Sequence, residues 1–248
     1  MAAWYEMDDY WETWAPYMFS AVRLQSASAE VDRIIQLLEL APGAAVLDFC
    51  CGIGRHSLQF ARRGYAVSGV DRTQAYLERA RAQAVTEGLK VEFIQSDARS
   101  FSRPATFDAA ISMFTSFGYF GDPADDFKVL QTLHIALRDG GRLLIDLNGK
   151  EVIARKFRDR EWHQHADGTL GLEERKVRNG WECIDSRWIL IGPGGKTWEG
   201  TISIRLYSGV ELTALLKRAG FSVVQLYGNL AGAPYDESAE RLIAVATK

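Results

Sequence analysis

Between residues 46 and 57 the chain reads Val-Leu-Asp-Phe-Cys-Cys-Gly-Ile-Gly-Arg-His-Ser, an apolar run that meets two glycines and then a helical stretch. Glycine removes the Cβ that would hold a ligand off the backbone, and the start of the next helix presents N–H groups with no intrahelical partner. Open α/β sheets bind ligands at such places, outside the carboxyl ends of their strands. Three carboxylates, Asp48, Asp71 and Asp97, fall at the ends of successive strand-like runs. One acid there is ordinary solvation; three after a Gly-x-Gly loop make a set of hydrogen-bond acceptors around one ligand.

Gly-x-Gly after a strand serves both dinucleotides and S-adenosylmethionine, so its neighbours decide. A dinucleotide fingerprint wants glycine or alanine three residues after Gly54, where this chain has Ser57, and no Tyr-x-x-x-Lys pair of a reductase is present. Asp48 would repel a pyrophosphate but suits the ammonium of a methionyl group. Asp71, 17 residues after Gly54, is placed to accept from ribose hydroxyls, and Asp97 from an adenine amino group.

The elements that must hold these groups follow from periodicity. Residues 44–49, 65–71, 90–97, 107–114 and 141–148 are short β-rich runs separated by helical patterns, the signature of a parallel sheet covered on both faces. Gly64 closes the first helix, and Thr73 caps a second that ends before Gly88. A last helix over 208–219 leads to runs 221–228 and 241–247, a closing hairpin at the sheet edge.

From 160 to 207 the rhythm changes to apolar and polar alternation in three runs. They are separated by Asn179-Gly180, a type I′ turn signal, and by Gly192-Pro-Gly-Gly195. This predicts a three-stranded antiparallel flap in which Arg205 and Tyr207 share a side with Thr201 and Ser203, facing either substrate or water. At the other end, three of the seven tryptophans fall in the first fourteen residues, and Tyr10, Trp14 and Tyr17 share one helical face. That face either packs on the sheet or closes over a site.

Taken together these residues resemble the S-adenosylmethionine-dependent methyltransferases of class I. A closer likeness is to bacterial small-molecule methyltransferases, several of which act on amines. It rests on Cys51-Gly52-Ile53-Gly54-Arg55-His56, on Phe114-Thr115-Ser116-Phe117-Gly118-Tyr119 and on the flap. The resemblance implies S-adenosylmethionine as cofactor, with Asp48, Cys50, Gly52 and Arg55 around its methionyl part. It implies Asp71 and Arg72 at the ribose, Asp97 and Ala98 at the adenine, and Met113 beside the sulfonium. Cys50 departs from the glycine common at that position. Tyr5, Tyr10, Phe117 and Tyr119 are the expected aromatic pocket for the acceptor. A desolvating pocket keeps an amine unprotonated, and aromatic faces attract the sulfonium. Transfer to nitrogen is expected, with oxygen or carbon transfer, a nicotinamide-type reductase or a non-catalytic binding module as the alternatives.

The expected fold class is α/β: a Rossmann-like, seven-stranded, mostly parallel sheet with helices on both faces, plus the inserted flap. Residues 1–36 are read as an N-terminal helical aromatic lid, 37–159 and 208–248 as the cofactor-binding domain, and 160–207 as the flap. Cys50, Cys51 and His56 are read as packed residues rather than nucleophiles or bases, and His163-x-His165 as too few ligands for a metal.

At 248 residues with 47% hydrophobic content the chain can bury one sizeable core, and a net charge of -3 gives no uniform field for nucleic acid or an anionic membrane. The expected partner is a small-molecule methyl acceptor, with a homodimer compatible. The acidic, aromatic N-terminus, the lack of an apolar run near the roughly 18 residues of a bilayer span, and three cysteines without a staple predict a cytoplasmic protein.

Overall fold

A computed structural model describes residues 3–248; residues 1 and 2 of the expected lid lie outside the described residues. The core is a seven-stranded sheet built from β1 (Ala45–Phe49), β2 (Ala66–Asp71), β3 (Val91–Gln95), β4 (Phe107–Ser112), β5 (Leu137–Leu147), β10 (Val223–Tyr227) and β11 (Leu242–Thr247). Their order is β10-β11-β5-β4-β1-β2-β3, with β11 antiparallel to both neighbours and the pairings among β1 to β5 parallel. The crossover from β1 outward to β3 and then back to β4 leaves the tips of β1 and β4 flanking a crevice, the usual ligand position in an open sheet.

Both faces of the sheet are covered, so its central strands are apolar on both sides. Leu47 and Phe49 of β1 belong to the core cluster that α5 (Pro123–Ala136) and α7 (Gly209–Arg218) cover on one face, while Val46 clusters with Val31 and Ile34 of α2 (Ala21–Leu37) and Phe60 of α3 (Arg55–Arg62) on the other. On the β2–β3 flank α4 (Gln74–Thr86) buries Leu77 and Ala80 against Phe93. The expected helix signals are in place. Gly64 and Gly88 follow α3 and α4, and Ser208 caps α7 in a reciprocal box with Glu211.

The flap is a separate antiparallel sheet with four strands where three are expected: β6 (Arg160–Gln164), β7 (Leu170–Arg178), β8 (Cys183–Ile191) and β9 (Thr197–Arg205), inserted after α6 (Lys150–Lys156). The added β6 reads Arg-Glu-Trp-His-Gln, every residue exposed, so it has no apolar alternation and is held to β7 by main-chain pairing and the exposed ion pairs Arg160–Glu174 and Glu161–Arg175. Charge on an edge strand is also what discourages pairing with other chains. The turn at Asn179-Gly180 falls where expected but is longer. Arg178 pairs with Cys183, and Asn179, Gly180 and Trp181 all take positive φ.

The expected lid divides in two. A 3₁₀ turn (Trp4–Glu6) and α1 (Asp8–Met18) lie against the flap, burying Tyr10 and Trp14 with Leu190 and Ile202. α2, by contrast, is a fixed helix of the main core. Amphipathicity identifies a helix with an apolar face but not the surface that receives it.

Candidate active site

All thirteen residues expected at the cofactor or acceptor line one cavity of about 1150 Å³ between the sheet tips, α1 and the flap. Its floor begins at β1. Asp48 is buried, and its Oδ2 accepts from Ser57 N (3.0 Å) and Ser57 Oγ (2.6 Å), tying the strand tip to the first turn of α3. Burial pushes its carboxyl up, against the opposing pull of His56 and Ser57. Ser57, the residue that breaks the dinucleotide pattern, is therefore an anchor.

The loop that follows is tightly curled. Cys50 takes φ 61, so the departure from glycine costs about 1–2 kcal/mol of backbone strain rather than reshaping the loop. Burial raises the thiols of Cys50 and Cys51, keeping both neutral and non-nucleophilic. Gly52, at φ 56, donates its N–H to Asp71 Oδ2 (2.8 Å), while Asp71 Oδ1 accepts from Thr73 N (2.8 Å). Each Asp71 oxygen keeps acceptor capacity for a ligand. Gly54 has another use: a Cβ there would press on Phe93 and Ala80, so this glycine serves the packing of α4 and β3.

At the β3 tip Asp97 is less free than expected. Arg99 grips it through Nε (3.0 Å), Nη2 (2.8 Å) and its own backbone N–H (2.7 Å), which holds the carboxyl below its ordinary range. Arg99 continues over the Phe120 ring at 4.6 Å and toward Tyr5 at 6.0 Å. Tyr5, expected in the acceptor pocket, thus stands near the Asp97 end. Arg72, expected at the ribose, instead donates to Tyr5 O (3.0 Å) and Asp8 Oδ1 (3.0 Å), latching the N-terminal segment.

The roof is aromatic. Trp4 lies 4.8 Å from Tyr119 and 5.6 Å from Tyr10, and donates its indole N–H to Ser203 O of β9. Burial raises the phenols of Tyr10 and Tyr119, so both stay protonated near neutrality. The segment carrying Phe117 and Tyr119 is strapped to the flap: Arg205 N donates to Gly118 O (2.7 Å), and a Cβ at Gly118, φ 89, would collide with Arg205 O. Ile202, Ile204 and Leu206 face the cavity from β9 and its end. Arg205 and Tyr207 point the other way, to buried Asp126, facing neither substrate nor open water. Their shared side is correct; its surroundings are not those expected.

Three features escaped sequence reasoning. Glu30 of α2 holds both Arg55 Nη1 (2.8 Å) and His56 Nε2 (2.8 Å). Burial pushes the Glu30 carboxyl up, but these partners outweigh it and hold it at about 2. Phe114 and Thr115 both adopt left-handed backbone (φ 60 and 62), held by Asp146, which accepts from Phe114 N through Oδ2 and from Arg241 Nε through Oδ1. The guanidiniums of Arg55 (4.0 Å), Arg23 (5.7 Å) and Arg241 (5.7 Å) surround the Phe114 ring. Nothing in the spacing of Glu30, Asp146 or Arg241 signals these contacts. The expected weak pair His163 and His165 lies on the flap with Nε2 atoms 3.1 Å apart and no third donor suited to a metal among the described residues.

Comparison with known proteins adds the chemistry. Residues 46–141 match the model of a family described as a methyltransferase domain. YqeM of Bacillus subtilis, which bears the name of a methyltransferase, is 24% identical over 215 residues, covering 82% of this chain and 83% of its own. The crystal structure of an S-adenosylmethionine-dependent methyltransferase from Clostridium acetobutylicum superposes with a TM-score of 0.80 at 16% identity, over 97% of this chain and 98% of that one. CalS10 from Micromonospora echinaspora, an amino pentose methyltransferase solved with S-adenosylmethionine bound, gives 0.67 at 23% identity over 90% of each chain. Residues 46–141 thus match a methyltransferase domain, and the chain has the fold of the S-adenosylmethionine-dependent methyltransferases it superposes on. S-adenosylmethionine carries an amino-acid carboxylate, and the floor of the cavity fits one. Arg55 Nη2 is buried with no hydrogen-bond partner and lies among the residues lining the cavity. No helix among the described residues is long and apolar enough to cross a membrane.

Proposed function

We propose that this methyltransferase moves the methyl group to a nitrogen of a small-molecule acceptor. The observation that carries this reading is the buried aromatic roof. Tyr10 and Tyr119 line the cavity as phenols that burial keeps neutral, so neither is a base, whereas an unprotonated amine brings its own lone pair. Burial also disfavours the ammonium form that could not attack. The neighbour CalS10, an amino pentose methyltransferase, supports the same choice.

When bound, S-adenosylmethionine supplies an electrophilic methyl carbon on a good leaving group. Arg55 holds the carboxylate through its free Nη2, Asp48 faces the ammonium with Cys50 and Gly52 at the loop, and Asp71 accepts from the ribose. Asp97 and Ala98 border the adenine, Arg72 lines the ribose side while latching Tyr5 and Asp8, and Met113 lines the sulfonium side. Tyr5 closes the adenine end. Tyr10, Phe117 and Tyr119 wall the acceptor, align its nitrogen with the methyl carbon and exclude water, which is where most of the rate of an in-line displacement is gained.

A second reading, transfer to oxygen, draws on His56, which lines the same cavity and is paired with Glu30 behind it as a base would be. Release of S-adenosylhomocysteine from matched amine and hydroxyl acceptors tests both. Turnover on amines that survives in His56→Gln supports nitrogen; turnover confined to hydroxyl acceptors and abolished in His56→Gln overturns it.

A further inference from the structure

The rim of the cavity holds positive charge that the fold does not consume. Arg23 of α2, Arg155 and Lys156 at the end of α6, and Arg158 just beyond it all line the cavity, and none has an ion-pair partner among the described residues. Arg23 donates to Met18 O, and Arg155 to the carbonyls of Glu237 and Ala239; Lys156 and Arg158 are exposed. The other cations on this side are spoken for: Arg55 by Glu30, Arg241 by Asp146 and Arg175 by Glu161 and Glu173. Glu240 is the rim carboxylate left without a contact partner. Four unpaired cations against Glu240 at the mouth, with Asp48 and Asp71 unpaired deeper on the floor, is the reverse of the chain's net charge of -3, so the excess is local to this mouth. A concave site with apolar walls focuses such a field and raises the local concentration of anions.

We propose that the acceptor is itself an anion, a small molecule whose phosphate or carboxylate group sits on the rim between Arg23 and the Lys156–Arg158 pair while its nucleophile reaches under the aromatic roof. Phe114, beneath Arg23 and Arg241, offers the flat surface over which it enters. Guanidinium forks bind either oxyanion, so the two share one chemistry at this site. This assignment rests on the methyltransferase reading of the same cavity.

Calorimetric titration of pyrophosphate, and separately of succinate, into the full chain loaded with S-adenosylhomocysteine tests it. One of the two anions is expected to bind, and the one that binds names the group. Lys156→Gln with Arg158→Gln, both at exposed positions, is expected to weaken that binding about tenfold or more while S-adenosylhomocysteine binds as before; Arg23→Gln alone should also weaken it. Absence of binding by both anions, binding unchanged in the double variant, or tighter binding of a short oligoribonucleotide would overturn the proposal. Failure of S-adenosylhomocysteine itself to bind strikes instead at the cofactor reading of the cavity, and the acceptor assignment falls with it.

Discussion

Phe19, the residue closing α1, lies across Gly52: a Cβ built on that glycine would stand 2.9 Å from Phe19 Cζ. The missing side chain lets the N-terminal segment seat on the glycine loop. Gly52→Ala should therefore fail twice, through strain at φ 56 and through displacement of Phe19. Cofactor affinity is expected to fall at least about tenfold, with stability reduced by about 1–2 kcal/mol. Adding Phe19→Ala should restore part of the stability and none of the affinity. Thermal unfolding and calorimetry on the three variants decide it, and full recovery of affinity in the double variant would show that Gly52 serves Phe19 alone.

Asp71 joins two backbone segments by accepting from Gly52 and Thr73. Asp71→Ala leaves both N–H groups without their acceptor and removes the proposed ribose contact, so cofactor affinity should drop by about 10–100-fold. S-adenosylhomocysteine binding equal to that of the parent would remove Asp71 from the site.

Phe117 and Tyr119 belong to the segment strapped to the flap at Gly118. If they align the acceptor, Phe117→Ala or Tyr119→Ala lowers kcat by about tenfold or more with cofactor affinity changed by less than about threefold. Equal losses in both quantities would place them at the cofactor instead.

Arg72 latches Tyr5 and Asp8 from a partly exposed position. Arg72→Ala should cost under about 1 kcal/mol of global stability, because exposed pairs contribute little, yet speed amide exchange over residues 3–18. Exchange that stays slow there would mean that the aromatic packing alone holds the roof shut.

The flap base depends on pH through Asp126. Tyr207 Oη donates to its Oδ2 at 2.6 Å, Arg205 Nε lies 3.3 Å from the same oxygen, and Oδ1 has no partner. Burial pushes the carboxyl up to about 6, with Tyr207 and Arg205 pulling against it. A raised folded value means that the native state holds a proton which the unfolded chain has already released. This contribution is fully present below the ordinary aspartate value of about 4 and is lost as pH rises through about 6. Between those limits the Tm of Asp126→Asn should decline less with pH than that of the parent; parallel curves would contradict the assignment.

How much of this was legible in advance follows the range of the interactions. The β1 tip, the glycine loop, α3 and the acids at 48, 71 and 97 are defined by neighbours within one supersecondary unit, where period and turn chemistry act. The strand Arg160–Gln164 was not legible, because an exposed charged edge strand has no pattern of its own and exists only by pairing with β7. The sides of Arg205 and Tyr207 could be paired from their spacing, since a strand alternates faces, but alternation gives parity and not which face meets Asp126.

From its residues alone the chain was committed to an open parallel sheet, a ligand loop at residues 50–54 and acids around it, because hydrophobic period and backbone permissiveness are properties of short segments. The tertiary structure decided the rest: that Arg72 and Arg99 are spent on protein contacts, that Glu30 orients Arg55 and His56, that Phe19 sits on Gly52 and that the rim keeps unpaired cations. Those outcomes depend on which distant groups burial brings within hydrogen-bond reach, and no local pattern encodes that distance.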